Sequence, residues 1–170
     1  MPVVRFTRER IEVAVRPGAI DVDGLYVYEN PWPVPVVQGL KYPFPIDEAH
    51  PIPSSIEVSE VDPLSGQALR SIPVVWLGAA PRYSIRVPGR GSRHIRVRYT
   101  QSSGGRSGTY LLTTTRPWRQ PLVRGEYVLL PKGGARILSS SYPLDGPEPG
   151  SFTKEGFMPD KEWEFTWAED

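Results

Sequence analysis

A chain of 170 residues with 39% hydrophobic content suits one domain with its own core, and 20 Pro and 16 Gly set where they would end strands argue against a helical fold. The absence of cysteine excludes disulfides and thiolate metal sites, and no run of roughly 18 apolar residues offers a membrane-spanning helix. The formal net charge of +1 hides a segregation that means internal pairing or a charged partner: residues 1–81 hold six Lys/Arg against ten Asp/Glu, residues 82–136 twelve against one, and residues 137–170 two against eight.

Residues 1–10 are charged and read as a lead-in. Ile11, Val13 and Val15 alternate with Glu12, Ala14 and Arg16, which predicts a first strand closed by Pro17-Gly18. Ile20–Val27 is apolar at 20 and 22 and then at 25 and 27, so its phase slips at Asp23-Gly24; a bulge is preferred there to a tight Asp-Gly hairpin. Glu29–Ser55 carries seven prolines and little periodicity. It reads as a proline-rich arm with an edge strand over Val36–Tyr42, either covering a sheet edge or docking to a partner.

Ile56–Val58 and Ile72–Leu77 are predicted strands on either side of a turn at Asp62–Gly66. Pro81–Thr100 is the clearest architecture. Tyr83, Ile85 and Val87 alternate with Arg82, Ser84 and Arg86, and Ile95, Val97 and Tyr99 alternate with His94, Arg96 and Arg98. The pattern predicts an antiparallel hairpin turning at Pro88–Gly91, with an apolar inner face and an arginine-rich outer one. Ser102–Gly108 is a loop tip, and Thr109–Thr115, Val123–Leu130 and Arg136–Tyr142 are further strands. Pro143–Gly150 is a turn-rich break, and 161–168 is a terminal strand that places Trp163, Phe165 and Trp167 on one face.

The whole pattern predicts an all-β, antiparallel immunoglobulin-like β-sandwich over residues 1–170, with residues 29–55 as its proline-rich arm. Sixteen Arg against four Lys, with one Asn and four Gln, fit a thermophile or a high-GC genome equally. No signal peptide precedes Val3, so the protein is cytosolic or the chain is a mature or excised form.

An aromatic strand ending Tyr28-Glu29-Asn30, then Tyr42-Pro43-Phe44-Pro45, a glycine-broken strand pair and Ile95–Tyr99 resembles the N-terminal sandwich domain of inter-alpha-trypsin inhibitor heavy chains and related bacterial envelope domains. The resemblance spans about residues 20–100; the long proline arm and the Thr-rich strand at 109–115 depart from it. It implies an extracytoplasmic interaction module without catalytic residues.

The residues themselves offer little catalysis. Gly89-Arg90-Gly91 is a turn and not a phosphate loop, and no G-x-S-x-G elbow is present. Two histidines, His50 and His94, leave a zinc site without ligands, and His94 among cations would have a lowered pKa. Asp21-x-Asp23-Gly24 suits calcium or a bulge. No cofactor is implied.

The candidate contact residues are Arg82, Arg86, Arg96 and Arg98 on one face with Arg90 and Arg93 at its tip, because guanidinium forks bind carboxylate, sulfate and phosphate. Either the acids of neighbouring strands pair with them or a partner does: another protein subunit, a second copy, or an acidic glycan. Nucleic acid is disfavoured, since no RNA-binding signature is present and the acidic flanks would repel a phosphate backbone. Trp32 and Trp118, beside prolines, could stack on sugars or plug the core. The expected function is a non-catalytic, extracytoplasmic module for protein–protein interaction or surface assembly. The alternative is a carbohydrate- or polyanion-binding module, alone or as part of a larger enzyme.

Overall fold

A computed structural model describes residues 2–169. Among them are thirteen strands: β1 (Arg5–Arg16), β2 (Ala19–Glu29), β3 (Val36–Lys41), β4 (Glu57–Val61), β5 (Ala68–Ser71), β6 (Val75–Leu77), β7 (Ala80–Val87), β8 (Ser92–Ser102), β9 (Ser107–Tyr110), β10 (Leu122–Pro131), β11 (Ala135–Ser140), β12 (Ser151–Phe157) and β13 (Trp163–Glu169). The chain is nearly all β, with one short 3₁₀ segment at Thr113–Trp118. A seven-stranded sheet runs β12-β10-β1-β2-β8-β4-β5, and two three-stranded sheets run β11-β13-β9 and β3-β7-β6. All pairings are antiparallel except β1 with β10.

Alternation sets the inner faces. Ile11, Val13 and Val15 of β1, Ile20 and Val22 of β2, and Ile95, Val97 and Tyr99 of β8 are all buried. From β13, Trp163, Phe165 and Trp167 join the same apolar cluster. Glu9 shares the inner row of β1, so strand phase drives a carboxyl into the core.

Several expectations need correction. Residues 1–10 are no lead-in, because β1 begins at Arg5 and pairs with β2 from that residue onward. The phase of β2 does not slip: Ile20, Val22, Gly24, Tyr26 and Tyr28 all face inward, and the register against β1 and β8 is unbroken through Asp23-Gly24. The Tyr26 ring lies over Gly24, in space that a Cβ would occupy. The register shift in β1–β2 lies instead between Phe6 and Arg8. Thr109–Thr115 is strand only to Tyr110 before the 3₁₀ segment, and the strand at Ser151–Phe157 was not anticipated.

The largest correction concerns the hairpin. Its alternation holds, with Ile85, Val87, Ile95, Val97 and Tyr99 buried and Arg86 and Arg98 exposed. Yet β7 pairs with β3 and β6, while β8 pairs with β2 and β4. The turn at Pro88–Gly91 carries the chain from one sheet to another, so the two strands face each other through their apolar sides and do not share a ladder.

The proline-rich segment is clasped to the body. The side-chain amide of Asn30 donates to the carbonyls of Val34, Val87 and Pro88, and the Arg90 amide donates to the Trp32 carbonyl. The Pro33 carbonyl lies where a Cβ on residue 89 would be, so the turn needs Gly89. Buried Gln101 donates to the carbonyls of Pro45 and Pro51. β3 is an edge strand of its sheet. No helix among the described residues is long and apolar enough to cross a membrane.

Candidate functional site

Because β7 and β8 belong to different sheets, the six arginines do not form one face. Those of β8 are matched by acids of the seven-stranded sheet. Arg96 Nε donates to Asp23 Oδ1 at 2.8 Å, and Arg98 lies 3.4 Å from Glu57. Arg93 Nε is 3.0 Å from Glu60 Oε1, without the angle of a hydrogen bond, and Glu60 also accepts from Arg70. The acids therefore come from the first acidic block, and not from the terminal strand. The last block answers other arginines: Glu148 binds Arg10, Glu155 binds Arg124 and Glu169 approaches Arg106. These half-exposed pairs contribute at most about 1 kcal/mol each.

The other group differs. Arg82 and Arg86 point outward from β7, and Arg90 is exposed at the turn with a left-handed backbone, φ 56°. Among the described residues no carboxylate stands within ion-pair distance of Arg82, Arg86 or Arg90. Arg82 is in register with Lys41 of β3 on one side and Val75 of β6 on the other. Two cations directly opposed across strands destabilise the sheet. Around them Val37, Val75 and Leu77 are exposed by 62%, 58% and 58%. Lys41 was not singled out in the sequence, since its neighbour is named only by the β3–β7 register.

Trp32 is 54% exposed, with its indole N–H donated to the Val3 carbonyl. Trp118 is half-buried and lies against the rings of Phe6 and Tyr28. Asp21 and Asp23 form neither a bulge nor a cation cluster. Asp21 accepts from Arg16 and Thr100, and Arg16 holds its pKa down. Among the described residues no three His, Cys, Asp or Glu side chains come together to hold a metal. The His94 pKa is lowered, but by partial burial and not by surrounding cations, and Asp62 and Glu29 oppose the shift.

Two constellations were not anticipated. Asp47 Oδ1 lies 2.7 Å from His50 Nδ1, and Ser103 Oγ lies 3.3 Å from His50 Nε2, which is the order of a hydrolytic triad. Here both groups are engaged by backbone carbonyls. His50 Nε2 is 2.7 Å from the Ser107 carbonyl, so it carries a proton and donates it, while Ser103 Oγ donates to the carbonyls of Gly105 or Ser107. His50 thus ties the proline-rich segment to the loop before β9. His50→Ala should cost about 1–3 kcal/mol and speed amide exchange at Asp47–His50 and at Ser103–Ser107. Unchanged exchange at both would show that the bridge does not hold the segment.

The second is a cavity of about 80 Å³ between the inner face of β1–β2 and the Tyr42 region, lined by eight aromatic rings and Glu9. Tyr26 Oη lies 2.7 Å from Tyr42 Oη and 2.5 Å from Tyr110 Oη. Tyr127 donates to Glu9 Oε1 at 2.6 Å. Burial pushes the Glu9 carboxyl up to about 7, against the lowering effect of the Tyr127 hydroxyl. Burial also raises the pKa values of Tyr26, Tyr42 and Tyr110.

Solved structures resemble this fold. A Legionella pneumophila protein provisionally named a nutrient-binding protein superposes with a TM-score of 0.74 at 12% identity, covering 98% of this chain and 67% of that one. A two-domain M1 zinc metallopeptidase bound to L-arginine gives 0.50 at 10% identity, covering 96% of this chain and 42% of that one. The M1 zinc metallopeptidase of Deinococcus radiodurans gives 0.49 at 10% identity with the same coverages, 96% and 42%. The match spans 42% of each of these two peptidase chains. At such identities the likeness is one of fold. No protein-family model matches the sequence, and no curated protein does.

Proposed function

We propose that this chain is a non-catalytic, immunoglobulin-like β-sandwich module that binds an acidic protein surface through the outer face of the β3-β7-β6 sheet. The observation that carries this reading is the Lys41–Arg82 opposition, with Arg86 beside it and, among the described residues, no carboxylate in reach, set among exposed Val37, Val75 and Leu77. Such a row lowers stability in the free protein and is relieved by a partner's carboxylates. Exposed apolar side chains beside it would supply the buried centre of an interface, with the cations at its rim. Absence of catalysis is supported by the engagement of His50 and Ser103 with backbone carbonyls. The resemblance of Tyr28-Glu29-Asn30 and Tyr42-Pro43-Phe44-Pro45 to the heavy-chain sandwich domains is what supports work outside the cytoplasm, and fractionation that recovers the protein in the cytosol would remove that part of the reading. The proline-rich segment then acts as an arm that covers the edge of the sheet.

The test is binding to immobilised polyglutamate and to heparin as salt is raised. Binding to polyglutamate should weaken with salt, and Arg82→Glu with Arg86→Glu should reduce it by on the order of tenfold or more, with the fold intact because both side chains are exposed. Preference for heparin would favour the acidic-glycan reading of the same cations. Absence of binding at low salt, or binding that the double variant leaves unchanged, would overturn the assignment.

A further inference from the structure

The tyrosine-lined cavity shares Lys41, but neither Arg82 nor Arg86, with the outer basic face. Its volume, about 80 Å³, is several times the roughly 10–15 Å³ that one water needs, which gives room for about six water-sized atoms. A dry cavity would be apolar, yet this one holds a carboxyl and several hydroxyls. Glu9 is 6% exposed and only its Oε1 is bonded, to Tyr127; among the described residues Oε2 has no hydrogen-bond partner. Aromatic faces carry negative quadrupole charge, a cation gains most from them when desolvated, and a carboxylate close by supplies the opposite charge that burial of the cation requires. Tyr26, Tyr42 and Tyr110 have joined their hydroxyls to one another, which leaves their rings as the remaining recognition surface. The one cation at the lining, Lys41, has an exposed side chain in high dielectric, where its repulsion is screened.

We infer that this cavity binds a small organic cation of the alkylammonium class, held between the rings of Tyr26, Tyr28, Tyr42 and Tyr99 and neutralised by the Glu9 carboxylate. A neutral molecule of the same shape would gain the apolar contacts but not the charge. A cation also selects the ionised form of Glu9, so loading the site displaces the carboxyl proton to solvent. The other titratable groups facing Glu9 are Tyr26 and Tyr28 of β2, Tyr110 of β9 and Tyr127 of β10, with Lys41 at the rim. The tyrosines are raised above their ordinary range, so Glu9 dominates the linkage near neutrality.

The experiment is titration calorimetry of the full chain with tetramethylammonium chloride, with tert-butanol as the neutral probe, in buffers of different ionisation enthalpy. The expected result is saturable binding of tetramethylammonium, about tenfold tighter at pH 8 than at pH 6, with proton release at pH 7 that vanishes at pH 9. Glu9→Gln should lose at least tenfold in affinity and all proton release, while its thermal transition shows that it is folded. Should that variant fail to fold, proton release by the unaltered chain still decides the matter. Equal binding of tert-butanol, no saturable binding, or binding without proton release would overturn the inference.

Discussion

Val97→Asp should abolish the folded state under conditions where Arg98→Asp leaves it nearly untouched. Val97 is fully buried in β8, in register with Gly24 on one side and Val58 on the other. Its side chain points into the core shared with Ile85 and Val87 of the facing sheet. Among the described residues that core is an apolar cluster that offers a carboxylate no cation, and an unpaired buried charge costs several kcal/mol, comparable with the whole stability of about 5–15 kcal/mol of an ordinary domain. Arg98, one residue on, is exposed, in register with Asp23 and Glu57. Reversing its charge replaces attraction by repulsion in high dielectric, an effect of about 1 kcal/mol or less. Urea unfolding followed by tryptophan fluorescence separates the two, because Trp163 and Trp167 are buried in the folded chain. A midpoint for Val97→Asp as high as that for Arg98→Asp would mean that the phase of β8 is wrong.

That phase was legible from sequence because period two is a local property, and it placed Ile95, Val97 and Tyr99 inward correctly. The partner of each strand was not legible. Pro88–Gly91 between two alternating runs suits a hairpin within one sheet and a crossing between two sheets equally well. Only the pairing of β7 with β3 and of β8 with β2 separates them. The division of the arginines follows from that pairing: Arg96 meets Asp23 across a ladder, whereas Arg82 meets Lys41. Gly24 misled for a different reason. A glycine carries no apolar signal, so an inward position filled by the neighbouring Tyr26 ring reads as a break in the pattern. The cavity was hidden most fully. Tyr26, Tyr42, Tyr99 and Tyr110 lie on β2, on the segment after β3, on β8 and on β9, and only the closed fold brings them around Glu9.

Glu9 also sets a pH dependence of stability. Its folded carboxyl titrates at about 7, against 4.5 for an ordinary glutamate, and desolvation is the cause. Below pH 4.5 the group is protonated in both states and costs nothing. Between 4.5 and 7 the unfolded chain releases the proton while the folded chain keeps it, so the unfolded state gains and stability falls as pH rises. Above 7 the folded carboxyl is ionised as well, and the loss levels off at about 3 kcal/mol. The carboxylates with lowered pKa values act in the opposite sense: Asp21 beside Arg16, Asp47 beside His50, Asp62 under the Ser65 and Leu64 amides, and Glu148 beside Arg10 lose their contribution as pH falls below the ordinary carboxylate range. His94, lowered by partial burial, likewise costs stability as pH falls below the ordinary histidine range. All of these groups are at least partly exposed and weigh less than Glu9. Maximum stability is therefore expected near pH 5, with a decline to pH 8. Glu9→Gln keeps the shape and a Tyr127 contact while removing the charge. It should flatten the decline and exceed the unaltered chain in stability at pH 8, by up to about 3 kcal/mol. Urea midpoints at half-unit pH steps measure both curves. Parallel curves for the two proteins between pH 5 and 8 would show that Glu9 is not the titrating group. Tetramethylammonium connects this slope to the cavity: a cation that selects the ionised carboxylate should restore stability at pH 8 and leave it unchanged at pH 5, where Glu9 stays protonated.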